Sequence, residues 1–91
     1  MAVTIRIPAQ LRPLAGGDAE VVVDAATVSD ALKALDAQYS GFAERLFDDQ
    51  GELRRFVNVF VADEDIRFLQ GVDTPLDDGS VVSIIPAVAG G

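Results

Sequence analysis

Histidine and cysteine are both absent from this chain of 91 residues. Those two residue types supply most of the general bases, nucleophiles and soft metal ligands that work at neutral pH. Without cysteine there are no disulfides and no thiolate metal sites, so the fold has to rest on packing alone. What remains for side-chain chemistry is one lysine (Lys33), one tyrosine (Tyr39), six arginines, and scattered hydroxyls and carboxylates. A conventional active site is therefore not expected, although carboxylate-only chemistry stays open. Positive charge is also scarce: the formal net charge is -8 and the pI about 4.1. That balance opposes non-specific binding to nucleic acid or to an anionic membrane, and basic partner proteins fit it better. Long apolar runs are missing too, since no stretch approaches the roughly 18 residues that span a bilayer. The start, Met1-Ala2-Val3-Thr4-Ile5-Arg6, lacks a basic segment followed by an apolar one, so the protein reads as cytoplasmic.

What is present is 49% hydrophobic residues, enough for one core in a chain that buries roughly 60 to 65% of its unfolded surface. Val3, Ile5 and Ile7 alternate with Thr4 and Arg6, the period-two pattern of a half-buried strand, and Pro8 marks its end. Gly16-Gly17-Asp18 is turn chemistry, and Glu20 to Asp24 reads as a second strand forming a long-looped hairpin with the first. Val28, Ala31, Leu32, Leu35 and Tyr39 fall on one helical stripe, with Thr27 as its cap and Asp30 at the positive end of its dipole. Ser40-Gly41 is expected to stop this helix, with Gly41 left-handed at its C-terminus.

From Phe42 to Phe47 one short helical turn is expected, and Asp48-Asp49-Gln50-Gly51 reads as loop. Phe56 to Val61 is an apolar run broken by Asn58, as in a central strand; Val57, Val59 and Val61 share one face, Phe56, Asn58 and Phe60 the other. Asp63-Glu64-Asp65 is predicted as a turn, Ile66-Arg67-Phe68 as a short edge strand, and Thr74 to Gly79 as a second turn. Val81 to Ile85 makes the last strand, closed by Pro86, and Ala87-Val88-Ala89-Gly90-Gly91 continues as a tail. This order predicts an α+β fold over residues 1–91, a β-grasp with a mixed sheet, one main helix across one face and residues 86–91 as a C-terminal tail. In it the first and last strands lie parallel, and the tail leaves from beside the sheet centre. The expected core holds Val3, Ile5, Val28, Leu32, Leu35, Val57, Val59, Val61, Val82 and Ile84.

A terminal Gly-Gly alone arises by chance in roughly 0.5% of chains at ordinary glycine usage, so its weight comes from context. Here it follows a strand directly and carries no charged side chain. Glycine has no Cβ, so such an end can thread a narrow channel and present its carboxylate to another protein.

The chain resembles the ubiquitin-like sulfur carriers of the MoaD/ThiS family, nearest their cysteine-forming branch. The resemblance rests on Val3-Thr4-Ile5-Arg6-Ile7-Pro8, Leu11-Arg12-Pro13, Tyr39-Ser40-Gly41, Arg55-Phe56-Val57-Asn58-Val59, Asp63-Glu64-Asp65-Ile66-Arg67-Phe68 and Ile85-Pro86-Ala87-Val88-Ala89-Gly90-Gly91. Ala62 stands at a turn position where the family often has asparagine, and the Phe42 to Leu53 stretch varies among members. The resemblance implies a carrier, not an enzyme, whose Gly91 carboxylate is adenylated by an ATP-dependent, E1-like activating enzyme and then converted to a thiocarboxylate by a sulfur donor. Gly90, Ala89 and Val88 would thread the partner. In the cysteine-forming branch the other partners are a synthase dependent on pyridoxal phosphate (PLP) and a metal-dependent peptidase. ATP and PLP thus belong to the partners, and the carrier binds no cofactor of its own.

Strand alternation puts Phe56, Phe60 and Ile85 on the sheet face away from the helix, beside the tail, where they would form a docking surface. Alternatively, the loop after the helix covers them. The acidic groups Asp48-Asp49, Asp63-Glu64-Asp65 and Asp77-Asp78 lack the spacing of a calcium loop and read as solvated turns. Lys33 reads as a surface charge, and Tyr39, Arg54 and Arg55 have no partner that would make them catalytic. Two readings stand beside the sulfur carrier: a protein modifier whose activated Gly91 is joined to lysines on targets, and a plain interaction domain with an inert tail.

Overall fold

The first strand forms where β-branched residues alternate with polar ones: in β1 (Ala2–Arg6) Val3 and Ile5 are fully buried and Arg6 faces solvent. The computed structural model in which this is seen describes residues 1–86. Pro8 ends the extended segment, but the long loop expected next contains a 3₁₀ helix, Ala9–Ala15, that buries Leu11 and Ala15. β2 (Glu20–Asp24) returns antiparallel to β1, with Val3 opposite Val23 and Ile5 opposite Val21. Helix α1 (Val28–Gln38) starts where the sequence predicts, the Thr27 hydroxyl oxygen accepting the Asp30 N–H at 3.1 Å. Val28, Ala31, Leu32 and Leu35 form its buried stripe.

Gly41 is left-handed as expected, at φ 111°, yet it does not close α1, whose cap is the extended Tyr39. It opens the short helix α2 (Phe42–Leu46) instead. A Cβ at Gly41 would also lie 3.3 Å from Leu14 Cδ2, so a side chain here meets both a backbone and a packing penalty. Asp36 of α1 accepts the Ala43 N–H at 2.9 Å and so satisfies one of the free donors of α2. Phe42 and Leu46, both inaccessible to solvent, add to the core a layer absent from the sequence-based set. The loop that follows is organised by Asp48, whose Oδ1 accepts the N–H groups of Gln50 and Glu52 at 2.9 and 3.0 Å.

β3 (Val57–Val61) turns through Ala62 and Asp63 into the two-residue strand β4 (Glu64–Asp65). Both turn residues have positive φ, 51° and 70°, the handedness that two-residue hairpins favour. The expected edge strand at Ile66–Phe68 is a 3₁₀ helix, and the edge strand is Glu64–Asp65, which the sequence reading had as a turn. The Asp65 carboxylate accepts the Arg67 N–H at 2.9 Å, which bends the chain out of the ladder, while Ile66 is buried. A last 3₁₀ turn, Gly71–Asp73, leads to the buried residues Thr74 and Leu76 and then to β5 (Val81–Pro86).

The five strands run in the order β2-β1-β5-β3-β4. β5 is parallel to β1 and antiparallel to β3, so the last strand lies in the middle of a mixed sheet with α1 against one face. This is the β-grasp arrangement. Every expected core residue is buried except Val61, which packs against the core while partly exposed. Pro86 belongs to β5, opposite Val57.

Candidate functional site

β5 is held by β1 as far as Ser83 and by β3 through Pro86, so the chain reaches Pro86 as a paired strand. Residues 87–91, and with them the predicted site residues Gly91, Gly90, Ala89 and Val88, lie outside the described residues.

The sheet face opposite α1 carries the outward half of each strand. Register places Glu20, Arg6, Ser83, Phe60 and Asp65 in one row across it, with Ile85 opposite Asn58 in the next. Phe60 and Ile85 are therefore diagonal neighbours on one face. Ile85 is 49% exposed, and Phe56, one residue ahead of β3, is 55% exposed; Phe60 is half-buried. The loop after α1 does not cover Phe56 or Ile85; its own aromatic, Phe42, is buried in the core. Phe56 and Ile85 flank Pro86, one from just ahead of β3 and the other from β5. They line two grooves of about 350 and 440 Å³ that share Pro86.

Arg67 holds the β3 side of this region. Its Nη1 donates to the Asn58 Oδ1, and its Nη2 donates to the carbonyls of Val57 at 2.9 Å and Arg55 at 3.2 Å. A guanidinium with several donors in one plane is suited to such bridging. The most exposed aromatic was missed by sequence reasoning: Phe68, 84% exposed, projects from the 3₁₀ turn after β4. Its assignment to a strand hid it, because alternation gives no outward signal for a residue in a 3₁₀ turn.

One acid of each acidic group accepts backbone N–H groups. Asp48 and Asp65 accept backbone N–H groups of their own loops, and the Asp78 Oδ1 accepts the Ala2 N–H at 2.8 Å. Among the described residues no three potential ligands come together at a metal-binding spacing. Lys33 and Tyr39 lie on α1 and at its end, away from β5, and the Tyr39 hydroxyl reaches Asp18 at 3.5 Å. Among the described residues the one group whose proton affinity is clearly changed is the Met1 ammonium, held above its ordinary value mainly by its hydrogen bond to Asp24. No described helix is long and apolar enough to cross a membrane.

Comparison with known proteins agrees with this geometry. The sulfur carrier protein CysO of Mycobacterium tuberculosis is 48% identical over 93 residues, covering 100% of both chains. The small archaeal modifier protein 3 of Haloferax volcanii is 49% identical over 70 residues, covering 77% of this chain and 75% of that one. Among solved structures, the BexX/CysO complex of Amycolatopsis orientalis contains a chain that superposes with a TM-score of 0.92 at 41% identity, covering 99% of this chain and 100% of that one. A model of the ThiS family matches residues 5–91. A central last strand, an open sheet face beside it and full-length similarity to a named sulfur carrier lead to one assignment: the chain belongs to the ThiS family of ubiquitin-like sulfur carriers.

Proposed function

We propose that this chain carries sulfur as a thiocarboxylate on Gly91, and that its destination is cysteine. The observation that carries the reading is the full-length similarity to a protein named as a sulfur carrier, CysO, with the family match running through Gly90-Gly91. A carboxylate at neutral pH is a poor electrophile. In the proposed cycle a Gly91 carboxylate oxygen attacks the α-phosphorus of ATP on an E1-like activating enzyme, and pyrophosphate leaves. Hydrosulfide, or a donor delivering its equivalent, then attacks the acyl carbon; AMP leaves and the thiocarboxylate remains. The carrier acts as a co-substrate, and the proposed site of this chemistry is cytoplasmic. In the cysteine-forming reading a PLP-dependent synthase takes the sulfur onto an activated serine, and a metal-dependent peptidase then frees the product.

This chain supplies the group to be activated and little that could compete with it. With no cysteine or histidine and a single lysine, it offers few side chains able to intercept an acyl adenylate. Its own part is to hold the root of the tail at the end of β5 and to present a surface to its partners. Deleting Gly90 and Gly91 should abolish thiocarboxylate formation without changing the melting temperature, since both lie beyond the core strands. A folded truncated chain that still transferred sulfur at the parental rate would overturn the proposal.

The similarity to a small archaeal modifier protein supports a second reading, in which activated Gly91 is joined to a lysine of a target protein. The two share the adenylation step and differ in the nucleophile that follows.

A further inference from the structure

The chain has 15 acidic residues against seven lysines and arginines, but they are not evenly placed. Pro86 lines two grooves, one flanked by Arg54 and Arg55 and the other by Arg6. A fourth arginine, Arg12, is anchored beside the second groove by donating from Nε to the Ile7 carbonyl at 3.1 Å. Three of the six arginines therefore line the grooves at Pro86, and a fourth is tied to a residue of one of them. At the other end of the same strands the charge is negative. Asp24 is opposite Ala2, Asp78 accepts the Ala2 N–H, and Asp63 and Glu64 follow Val61, which pairs with Val82 near the start of β5.

The positive end is only lightly compensated within the molecule. Arg6 faces Glu20 at 3.5 Å, but both side chains are more than half exposed, so the pair neutralises little in solvent. Arg54 donates from Nε and Nη2 to the Glu44 carbonyl, a neutral acceptor, at 3.2 and 3.0 Å. Arg55 is exposed, and its side chain makes no hydrogen bond or ion pair among the described residues. Among the described residues Asp48 is the one acid lining either groove, and its Oδ1 is already shared by two N–H groups of its own loop. Arg54 also borders a neighbouring groove that holds Glu44 and Asp49, so the less compensated charges are Arg55, Arg6 and Arg12.

We infer that Arg6, Arg12, Arg54 and Arg55, set around the exposed rings and side chains of Phe56 and Ile85, dock on a partner surface whose tail-accepting mouth is apolar and rimmed with carboxylates. The inference rests on the carrier reading and names the partner's chemistry. Reach decides that the arginines meet the rim and not the reacting groups. Five residues span at most about 17 Å when extended, and a guanidinium rooted beside Pro86 stays far behind a carboxylate at the end of that span. Arginine suits the role because its fork matches a carboxylate bidentately. In a chain of net charge -8, an acidic mouth repels every other approach and attracts this end. The consequence is an oriented encounter that delivers the tail first.

The test is ATP–pyrophosphate exchange, measured against carrier concentration with a purified E1-like activating enzyme from the same organism, at about 50 and about 300 mM salt. Arg55→Glu is the primary variant, because the Arg55 side chain has no hydrogen-bond or ion-pair partner among the described residues whose loss could disturb the fold. It should raise KM about tenfold at low salt, leave kcat unchanged, and reduce the salt dependence of kcat/KM. Arg6→Gln should act in the same direction, and Glu64→Gln, at the opposite end, should leave both constants alone. A basic-for-acidic replacement on the rim of the enzyme should restore the KM of Arg55→Glu. If the wild-type chain supports exchange while Arg55→Glu and Arg6→Gln match it in KM and in salt dependence, the docking inference is overturned and the carrier reading stands. If the wild-type chain itself supports no exchange, both fall together.

Discussion

Ala62 is a residue that the fold tolerates at a cost. It sits at φ 51° in the two-residue turn between β3 and β4, a region that a side chain with a Cβ enters at a penalty of about 1 to 2 kcal/mol. Asparagine tolerates it better because its short polar side chain can bond locally. Replacing Ala62 with Asn should therefore stabilise the protein by about 0.5 to 1 kcal/mol, part of the full penalty being retained by any L-residue. For a domain of this size that is a rise in Tm of roughly 2 to 8 °C. Ala62→Gly removes the steric cost completely but loosens the unfolded chain by about 0.4 to 1 kcal/mol, so it should gain less than Asn or break even. Thermal denaturation followed by circular dichroism measures both, with Ala19→Asn, at an exposed position without positive φ, as the control that should not move. If Ala62→Asn lowers Tm or matches the control, the turn is not left-handed in solution and the reasoning fails.

Leu32, 1% exposed on the buried stripe of α1, should cost about 2 to 5 kcal/mol when replaced by Ala, and urea unfolding that shows no change would remove it from the core. Ile85→Asp and Phe56→Asp should weaken binding to the activating enzyme, read by titration calorimetry, and leave Tm nearly unchanged, whereas the half-buried Phe60 should lose stability as well when charged. The Met1 ammonium has its folded pKa raised above 8.0 by Asp24. Its contribution to stability is therefore present below that value and lost as pH rises through the folded pKa; Tm measured across that range should fall more in the parent than in Asp24→Asn.

Elements set by local chemistry were legible in the sequence. Thr27 with Asp30 and the stripe Val28, Ala31, Leu32, Leu35 specify α1, and the alternation of Val3, Ile5, Val21 and Val23 specifies the first hairpin. Where tertiary contacts decide, the sequence misleads. Pro13 hides the 3₁₀ helix Ala9–Ala15, whose reason for forming is the burial of Leu11 and Ala15 under a sheet not visible locally. Ile66 and Phe68 have strand propensity, yet the Asp65 cap and the reach of Arg67 to the β3 carbonyls turn them out of the sheet. Of the candidate site, the exposure of Phe56 and Ile85 could be anticipated from alternation. The approach of the pair Arg6 and Arg12 to the pair Arg54 and Arg55 at Pro86 could not, because the two pairs are far apart in the chain and are brought together by β5, which lies between β1 and β3.

The central claim concerns one atom, a carboxylate oxygen of Gly91. Intact-protein mass spectrometry after incubation with ATP, an activating enzyme and a sulfur source observes it directly. The carrier account predicts a mass gain equal to one oxygen exchanged for sulfur, localised to a C-terminal peptide ending at Gly91 and lost when ATP is omitted or Gly91 is deleted. Adducts joined to lysines of other proteins, in place of that exchange, would contradict the account in favour of a modifier, and an unchanged mass would contradict it in favour of an inert tail.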